Sequence, residues 1–194
     1  IAKDLSVAGA CKELFNEVQS LGIQVDYLMN NAGFGLGGKF HELPWDRQIQ
    51  MINLNMVSLT ELMYLFLPSM VARNSGKILN TSSTAGLIPG PLQAVYFASK
   101  AYVSSFSNAI AEELHDKNIT VTALLPGATE TGFAKTSGVD KTAIYSNPAS
   151  ARSVAEDGYG AMIKGKLDVI SVSSRSQKIQ LSLVPFFPKK MILK

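Results

Sequence analysis

Tyr96 and Lys100 stand four residues apart in the run Tyr96-Phe97-Ala98-Ser99-Lys100. On a helix that spacing aims both side chains from one face. A phenol ordinarily gives up its proton only near pH 10, too high for a base at neutral pH. A neighbouring ammonium favours the phenolate and lowers that value. Lysine at this spacing can do so and still offer donors to a sugar hydroxyl. The pair therefore fits a device that moves a proton to or from a substrate oxygen. An exposed tyrosine beside a solvated lysine meets the same spacing, so the surroundings must decide. Other chemistries have less to stand on. His41 and His115 lack metal-ligand spacing, no metal is expected, and no Gly-x-Ser-x-Gly elbow exists for a serine hydrolase.

The elements that must hold the pair are legible from periodicity. Ser6 reads as the N-cap of a helix to about Leu21, with Gly22 as its stop. Cys11 shares a stripe of that helix with Val7, Leu14, Val18 and Leu21, which places it in the core. Val25–Met29 reads as a short buried strand, and Asn30-Asn31-Ala32-Gly33 follows it. From Trp45 to about Val71 apolar residues recur in steps of three and four, the mark of one long amphipathic helix. Strands follow at Lys77–Thr81 and Thr120–Leu125, with a helix from Tyr96 to His115 between them. A helix near Ala149–Lys164 and a strand near Leu167–Val172 come last. Alternating strands and helices predict a parallel sheet covered on both faces, with ligands at the carboxyl ends of its strands. Asn30–Gly33, Ser82–Gly86 and Pro126–Thr131 should then line one crevice.

Composition agrees with that class. The 194 residues are 46% hydrophobic and 17% charged, against roughly 25% charged in an average domain. Strands buried on both faces account for such a balance. No apolar run reaches the ~18–20 residues of a membrane span. The net charge of +3 forms no concentrated patch of the kind a nucleic-acid binder needs. One cysteine excludes an intrachain disulfide, and a reducing, cytoplasmic compartment is expected.

The run ILNTSSTAG (Ile78 to Gly86) followed by Tyr96-Phe97-Ala98-Ser99-Lys100 resembles the short-chain dehydrogenase/reductase family. So do Asn30-Asn31-Ala32-Gly33, Ile52-Asn53-Leu54-Asn55-Met56 and Pro126-Gly127-Ala128-Thr129-Glu130-Thr131. These motifs keep the family's order and spacing from residue 4 to about 131, and NNAGFG and AVYFASKAYVSSFS look most like a bacterial-type branch. The resemblance implies a Rossmann-like, doubly wound parallel sheet in one domain, and a hydride transfer between NAD or NADP and a small carbonyl or alcohol substrate. It implies roles as well. Tyr96 would be the acid–base, Lys100 its partner and a contact to the nicotinamide ribose, and Ser83, thirteen residues before Tyr96, a donor to the substrate oxygen. Its neighbour Ser82 suits a plain turn serine better. Asn55 would anchor a water in a proton relay to Lys100, although asparagine is a poor helix former; a helix–helix hydrogen bond is the other reading, and Asn53 is a competitor. Asn31, Ala32 and Gly33 would pass under the adenine ribose, and Asp4-Leu5 would touch the adenine unless Asp4 is a helix cap. Pro126, Gly127 and Thr129 would pass the nicotinamide, with Thr131 reaching its carboxamide or the phosphates.

One part of the family pattern is not in this sequence. The glycine-rich phosphate turn should precede Asp4, and Gly33, Gly35, Gly37 and Gly38 do not replace it, because they lead to no helix N-terminus. The residue that selects NAD from NADP would lie with it. The expectation is a chain that begins inside the fold, lacking its first strands and helices, so that Val25–Met29 misses its usual neighbour or pairs outside the chain. A non-catalytic fragment that binds a partner is the alternative, and a hydrolase using Ser83 lacks a placed histidine. Specificity would reside in Gly132 to Asn147 and the C-terminal stretch. The tail from Leu181 to Lys194 mixes apolar residues with Lys189, Lys190 and Lys194. It reads as a pocket closure or subunit contact, with a membrane surface as the alternative. The helices Trp45–Val71 and Tyr96–His115 resemble those that build family dimers and tetramers, which would place Phe97 and Tyr102 at a subunit contact.

Overall fold

The computed structural model describes residues 1–140, 142 and 145–192. In chain order, helix α1 (Ala10–Ser20) leads to strand β1 (Tyr27–Asn30). Helix α2 (Trp45–Ile52), a π-helical segment (Asn53–Ser58) and helix α3 (Leu59–Arg73) follow end to end. Next come β2 (Gly76–Thr81), α4 (Ala94–Glu113) and β3 (Ile119–Pro126). A short pair, β4 (Thr129–Glu130) and β5 (Ala149–Ser150), brackets helix α5 (Phe133–Ser137). Helix α6 (Ala151–Ile163), β6 (Asp168–Ser171), α7 (Arg175–Leu183) and α8 (Lys189–Ile192) close the chain.

β1, β2, β3 and β6 form one sheet in that order, all parallel. Side-chain alternation along the strands divides the core into two layers. On one face Ile78 and Val121 meet Leu59, Met63, Met70 and Val103 from α3 and α4. On the other, Leu79 and Leu124 meet Val154 and Met162 from α6. This is the doubly wound arrangement expected. The carboxyl ends of β1, β2 and β3 open on the same edge, which gathers the three expected crevice segments. Ser83 donates to the Pro126 carbonyl at 3.3 Å and Thr81 to the Asn31 side chain at 3.2 Å.

Several details differ from the pattern reading. Ser6 does not cap α1. Its backbone N–H and hydroxyl both donate to Asp4, at 2.9 and 2.7 Å, so the chain turns there. The helix begins only after Gly9, whose φ of 85° suits glycine. Cys11 is buried as expected, and Leu14 and Val18 pack beside it, but Val7 and Leu21 on the same stripe are exposed. The first strand starts at Tyr27, two residues later than Val25, because the Val25 carbonyl accepts from the Arg73 guanidinium. β1 pairs with β2 alone and is the edge strand of the sheet among the described residues, with Tyr27 and Met29 exposed.

The single long helix expected from Trp45 is interrupted by a π-helical stretch. There the single Ser58 hydroxyl hydrogen is shared between the Leu5 carbonyl at 2.5 Å and the Asn53 carbonyl five residues back at 2.9 Å. The helical path Trp45–Arg73 is long and apolar enough to cross a bilayer by length and composition. Its side chains Leu59, Leu62, Met63, Phe66 and Met70 are buried in the core.

Candidate active site

Tyr96 and Lys100 project from the first turns of α4, and both are buried. The Lys100 ammonium donates to the Thr81 carbonyl at 2.8 Å and sits 5.8 Å from the centroid of the Tyr96 ring. Thr81 ends β2, so the strand's last carbonyl fixes the lysine that follows it by nineteen residues. Two of the three ammonium donors remain for other partners.

The electrostatics run opposite to the simple pair argument. Burial pushes the Tyr96 phenol up to about 12, against a hydrogen bond from Ser83 that lowers it and a contribution from Tyr145 that raises it. Burial pulls Lys100 down to about 8. Desolvation disfavours both charged forms. It outweighs the attraction expected between ammonium and phenolate, so the phenol keeps its proton at neutral pH.

Ser83 follows β2 at the start of a short 3₁₀ turn, Thr84–Leu87, and its hydroxyl accepts the Ala85 N–H at 3.1 Å. That bond and the one to Pro126 hold the hydroxyl where it faces Tyr96. Asn55 lies in the π segment, almost fully buried. Its side chain accepts the Phe34 N–H at 3.1 Å and donates to the Phe34 carbonyl at 2.9 Å and the Ser99 hydroxyl at 3.1 Å. Asparagine's low helix propensity is used here, because the widened turn lets its amide bond another segment's backbone as a ladder partner would. A Cβ on Gly33 would lie 2.9 Å from the Asn55 Oδ1 and 3.5 Å from the Lys100 Nζ. Gly33, Asn55, Lys100, Tyr96 and Ser83 thus form one cluster.

The remaining expected residues are more spread. Asn31 and Ala32 are exposed beside this cluster. Gly127 bonds to Ser171 of β6, and the Thr129 hydroxyl donates to the Gly127 carbonyl at 3.0 Å. Thr131 accepts the Phe133 N–H at 3.2 Å and so starts α5. Asp4 is exposed and occupied by Ser6, while the Leu5 carbonyl is bound by Ser58. The later glycines are packing positions: Gly35 lies against Phe133 and Ser137, Gly37 against Val139, and Gly38 against Leu43.

Some contributors escaped the sequence reading. Ser82 is no plain turn serine. It is buried, donates to the Lys100 carbonyl at 2.7 Å and bonds the Ser104 hydroxyl at 2.7 Å, pinning α4 to the end of β2. A Cβ on Gly86 would meet the Lys100 carbonyl carbon and oxygen at 2.8 Å, so glycine permits this close approach of turn to helix. Asn30 and Asn80, paired in register, link through Nδ2 and Oδ1 at 2.8 Å, and Asn80 donates to Ser107 of α4 at 2.9 Å. An asparagine closing two apolar strand runs was the available signal. Phe133 stands against Tyr96 with ring centroids 5.3 Å apart, and the Tyr145 phenol acts on Tyr96 electrostatically, raising its pKa.

A family model described as short chain dehydrogenase matches residues 1–142. The chain belongs to the short-chain dehydrogenase/reductase family. Among its relatives, the very-long-chain 3-oxoacyl-CoA reductase of Rattus norvegicus is 35% identical over 139 residues, 69% of this chain and 45% of that one. The 3-ketodihydrosphingosine reductase of Bacteroides thetaiotaomicron is 35% identical over 134 residues, 69% of this chain and 48% of that one. This short-chain dehydrogenase/reductase chain therefore spans less than half the length of these curated relatives. A short-chain dehydrogenase from Sphingobium yanoikuyae, solved in complex with NADPH, superposes with a TM-score of 0.81 at 25% identity, over 93% of this chain and 70% of that one. A 4-hydroxyisoleucine dehydrogenase complexed with NADH shares the fold at a TM-score of 0.76 and 23% identity, over 90% or less of either chain (88% of this one, 76% of that).

Proposed function

We propose that this chain belongs to an oxidoreductase that interconverts a carbonyl and an alcohol with NAD or NADP. The observation that carries the reading is the convergence of Ser83, Tyr96 and Lys100 on one buried spot, with the phenol pushed up to about 12. A protonated, desolvated phenol is suited to donate to an oxygen on which negative charge develops. Ser83 supports it by offering a hydroxyl to the same oxygen, which is worth most in the transition state. Lys100, with donors to spare beyond Thr81, suits the hydroxyls of a ribose, and a sugar there would leave its charge close enough to ease proton return. Asn55 holds the Gly33–Phe34 backbone beside the lysine and has a further Oδ1 lone pair to offer a water of a proton relay.

The residues fit a nicotinamide nucleoside. Gly33 leaves room that a Cβ would fill against Asn55 and Lys100. Lys100, Asn31, Ala32 and Gly33 would hold the ribose side, Asp4-Leu5 the adenine, and Pro126, Gly127, Thr129 and Thr131 the nicotinamide side. The cofactor supplies or accepts the hydride when bound. Phe133 gives the substrate side an apolar wall next to the phenol.

Two further readings accompany this one. The face of α3 and α4 bears an open groove of about 500 Å³ lined by Met56, Val57, Thr60, Tyr64 and Tyr102, suited to a second copy in a homodimer or homotetramer. The buried free thiol of Cys11 suits a reducing, cytoplasmic setting.

The test is Tyr96→Phe, assayed against a panel of ketones with NADH and NADPH. The expected result is a rate lower by roughly 10²–10⁴-fold with cofactor affinity nearly unchanged. Lys100→Ala should lose both rate and cofactor binding. A residual Tyr96→Phe rate above about a tenth of wild type removes the tyrosine from the chemistry.

A further inference from the structure

Away from the crevice, the segment after the last strand has a surface unlike the rest of the molecule. α7, the 3₁₀ turn Val184–Phe186 and α8 carry no buried residue in the first of these, and Ile179, Leu183, Phe186, Phe187 and Met191 are all exposed. Phe186 is 83% exposed, more than any other large apolar residue among those described. This disagrees with a tail that closes the substrate pocket, since a closing segment would bury its apolar side. Five apolar side chains within thirteen residues exceed the scattered exposure that needs no explanation.

The charges on the same segment are of one sign. Arg175, Lys178, Lys189, Lys190 and Lys194 are its charged residues, and no acidic residue follows Asp168. The rest of the chain holds thirteen basic against fifteen acidic residues, so the whole positive excess belongs to this segment. On α7 the side chains of Ile179 and Leu183 lie one turn apart, and Arg175 and Lys178 flank them at i−4 and i−1 of Ile179. An apolar ridge flanked by basic residues suits the boundary of a bilayer, where alkyl and aromatic groups enter the acyl region and ammonium groups meet phosphate.

We infer that Arg175–Ile192 docks on a membrane surface bearing anionic lipid. The inference stands apart from the catalytic reading: the face could hold the protein at a bilayer whatever the crevice does. A second copy of the chain is disfavoured as the occupant, because the segment would bring like charges together across the contact.

Co-sedimentation of the full chain with phosphatidylcholine vesicles, with and without phosphatidylserine, tests it. Binding is expected to the phosphatidylserine vesicles and to weaken with salt. Each basic residue at such a surface is worth roughly a fivefold change in partition, so Arg175→Gln with Lys178→Gln should weaken binding on the order of twentyfold. Phe186→Ser with Phe187→Ser should remove the binding that survives high salt. Both pairs replace exposed side chains, and unchanged melting temperatures would show that the fold is kept. Equal binding to both vesicle types, or none to either, overturns the inference. So does a phenylalanine pair variant that dissociates an oligomer by light scattering and leaves vesicle binding as it was, for then a second copy covers the face.

Discussion

Asn55→Ala should cost the protein about 3 kcal/mol of stability, and the figure can be worked from the bonds it removes. The Asn55 side chain holds both the N–H and the carbonyl of Phe34, together with the Ser99 hydroxyl. Each bond contributes roughly 0.5–1.5 kcal/mol net, and a backbone group left buried without a partner costs about 1–3 kcal/mol. Part of this is recovered where water reaches the half-exposed side of Phe34, which brings the sum to about 2–4 kcal/mol. With a urea dependence of about 2 kcal/mol/M, the unfolding midpoint should fall by about 1.5 M at unchanged slope. Asn55→Asp sharpens the test. A carboxylate can still accept from the Phe34 N–H, but it sets an acceptor against the Phe34 carbonyl. Ser99 cannot rescue it freely, because its hydroxyl already donates to the Tyr96 carbonyl at 2.7 Å. The aspartate variant should therefore be no more stable than the alanine one at neutral pH. Equilibrium urea unfolding followed by circular dichroism measures both. A midpoint within about 0.3 M of wild type for either variant would refute the view that Asn55 fastens the Gly33–Phe34 loop to the helix.

Other consequences are equally direct. Lys100 titrates at about 8 in the fold and near 10.5 unfolded, so burying its charge is a penalty in full below pH 8 that is relieved as pH rises. Tyr96 is the reverse: its stabilisation is full below about pH 10 and is lost toward 12. Stability should thus gain on the order of 2–3 kcal/mol between pH 8 and 10 and then fall, and Lys100→Met should remove the rising limb in pH-dependent urea melts. Gly86→Ala should cost about 1–3 kcal/mol, because its Cβ meets the rigid backbone of α4 at Lys100, and an unchanged melting temperature would show that turn and helix are free to separate.

The sequence by itself determined the alternation of strands and helices and singled out Tyr96 and Lys100 as a pair suited to proton transfer. Apolar runs of strand length alternating with three-and-four periodicity admit little but a parallel sheet with helices on both faces. The four-residue spacing of Tyr96 and Lys100 set both on one face of a helix, because local geometry translates residue offsets directly into directions, whereas Ser83 came only from the family resemblance. Boundaries were less legible where a side chain captured a backbone group. Asp4 took Ser6, and Arg73 took the Val25 carbonyl, each a contact whose strength composition does not encode.

Tertiary structure alone decided the balance of charge at the site. Four residues of spacing predict that Lys100 lowers the phenol's pKa, yet burial raises it to about 12, since desolvation depends on what the rest of the chain packs above the ring. It decided too that Asn55 sits in a π turn and bonds Phe34, twenty-one residues away, and that Ser82 pins the helix while Ser83 faces the tyrosine. Two adjacent serines are equivalent in a sequence. On a strand end their side chains leave opposite faces, and only the packing of α4 against β2 determines which of the two meets the crevice.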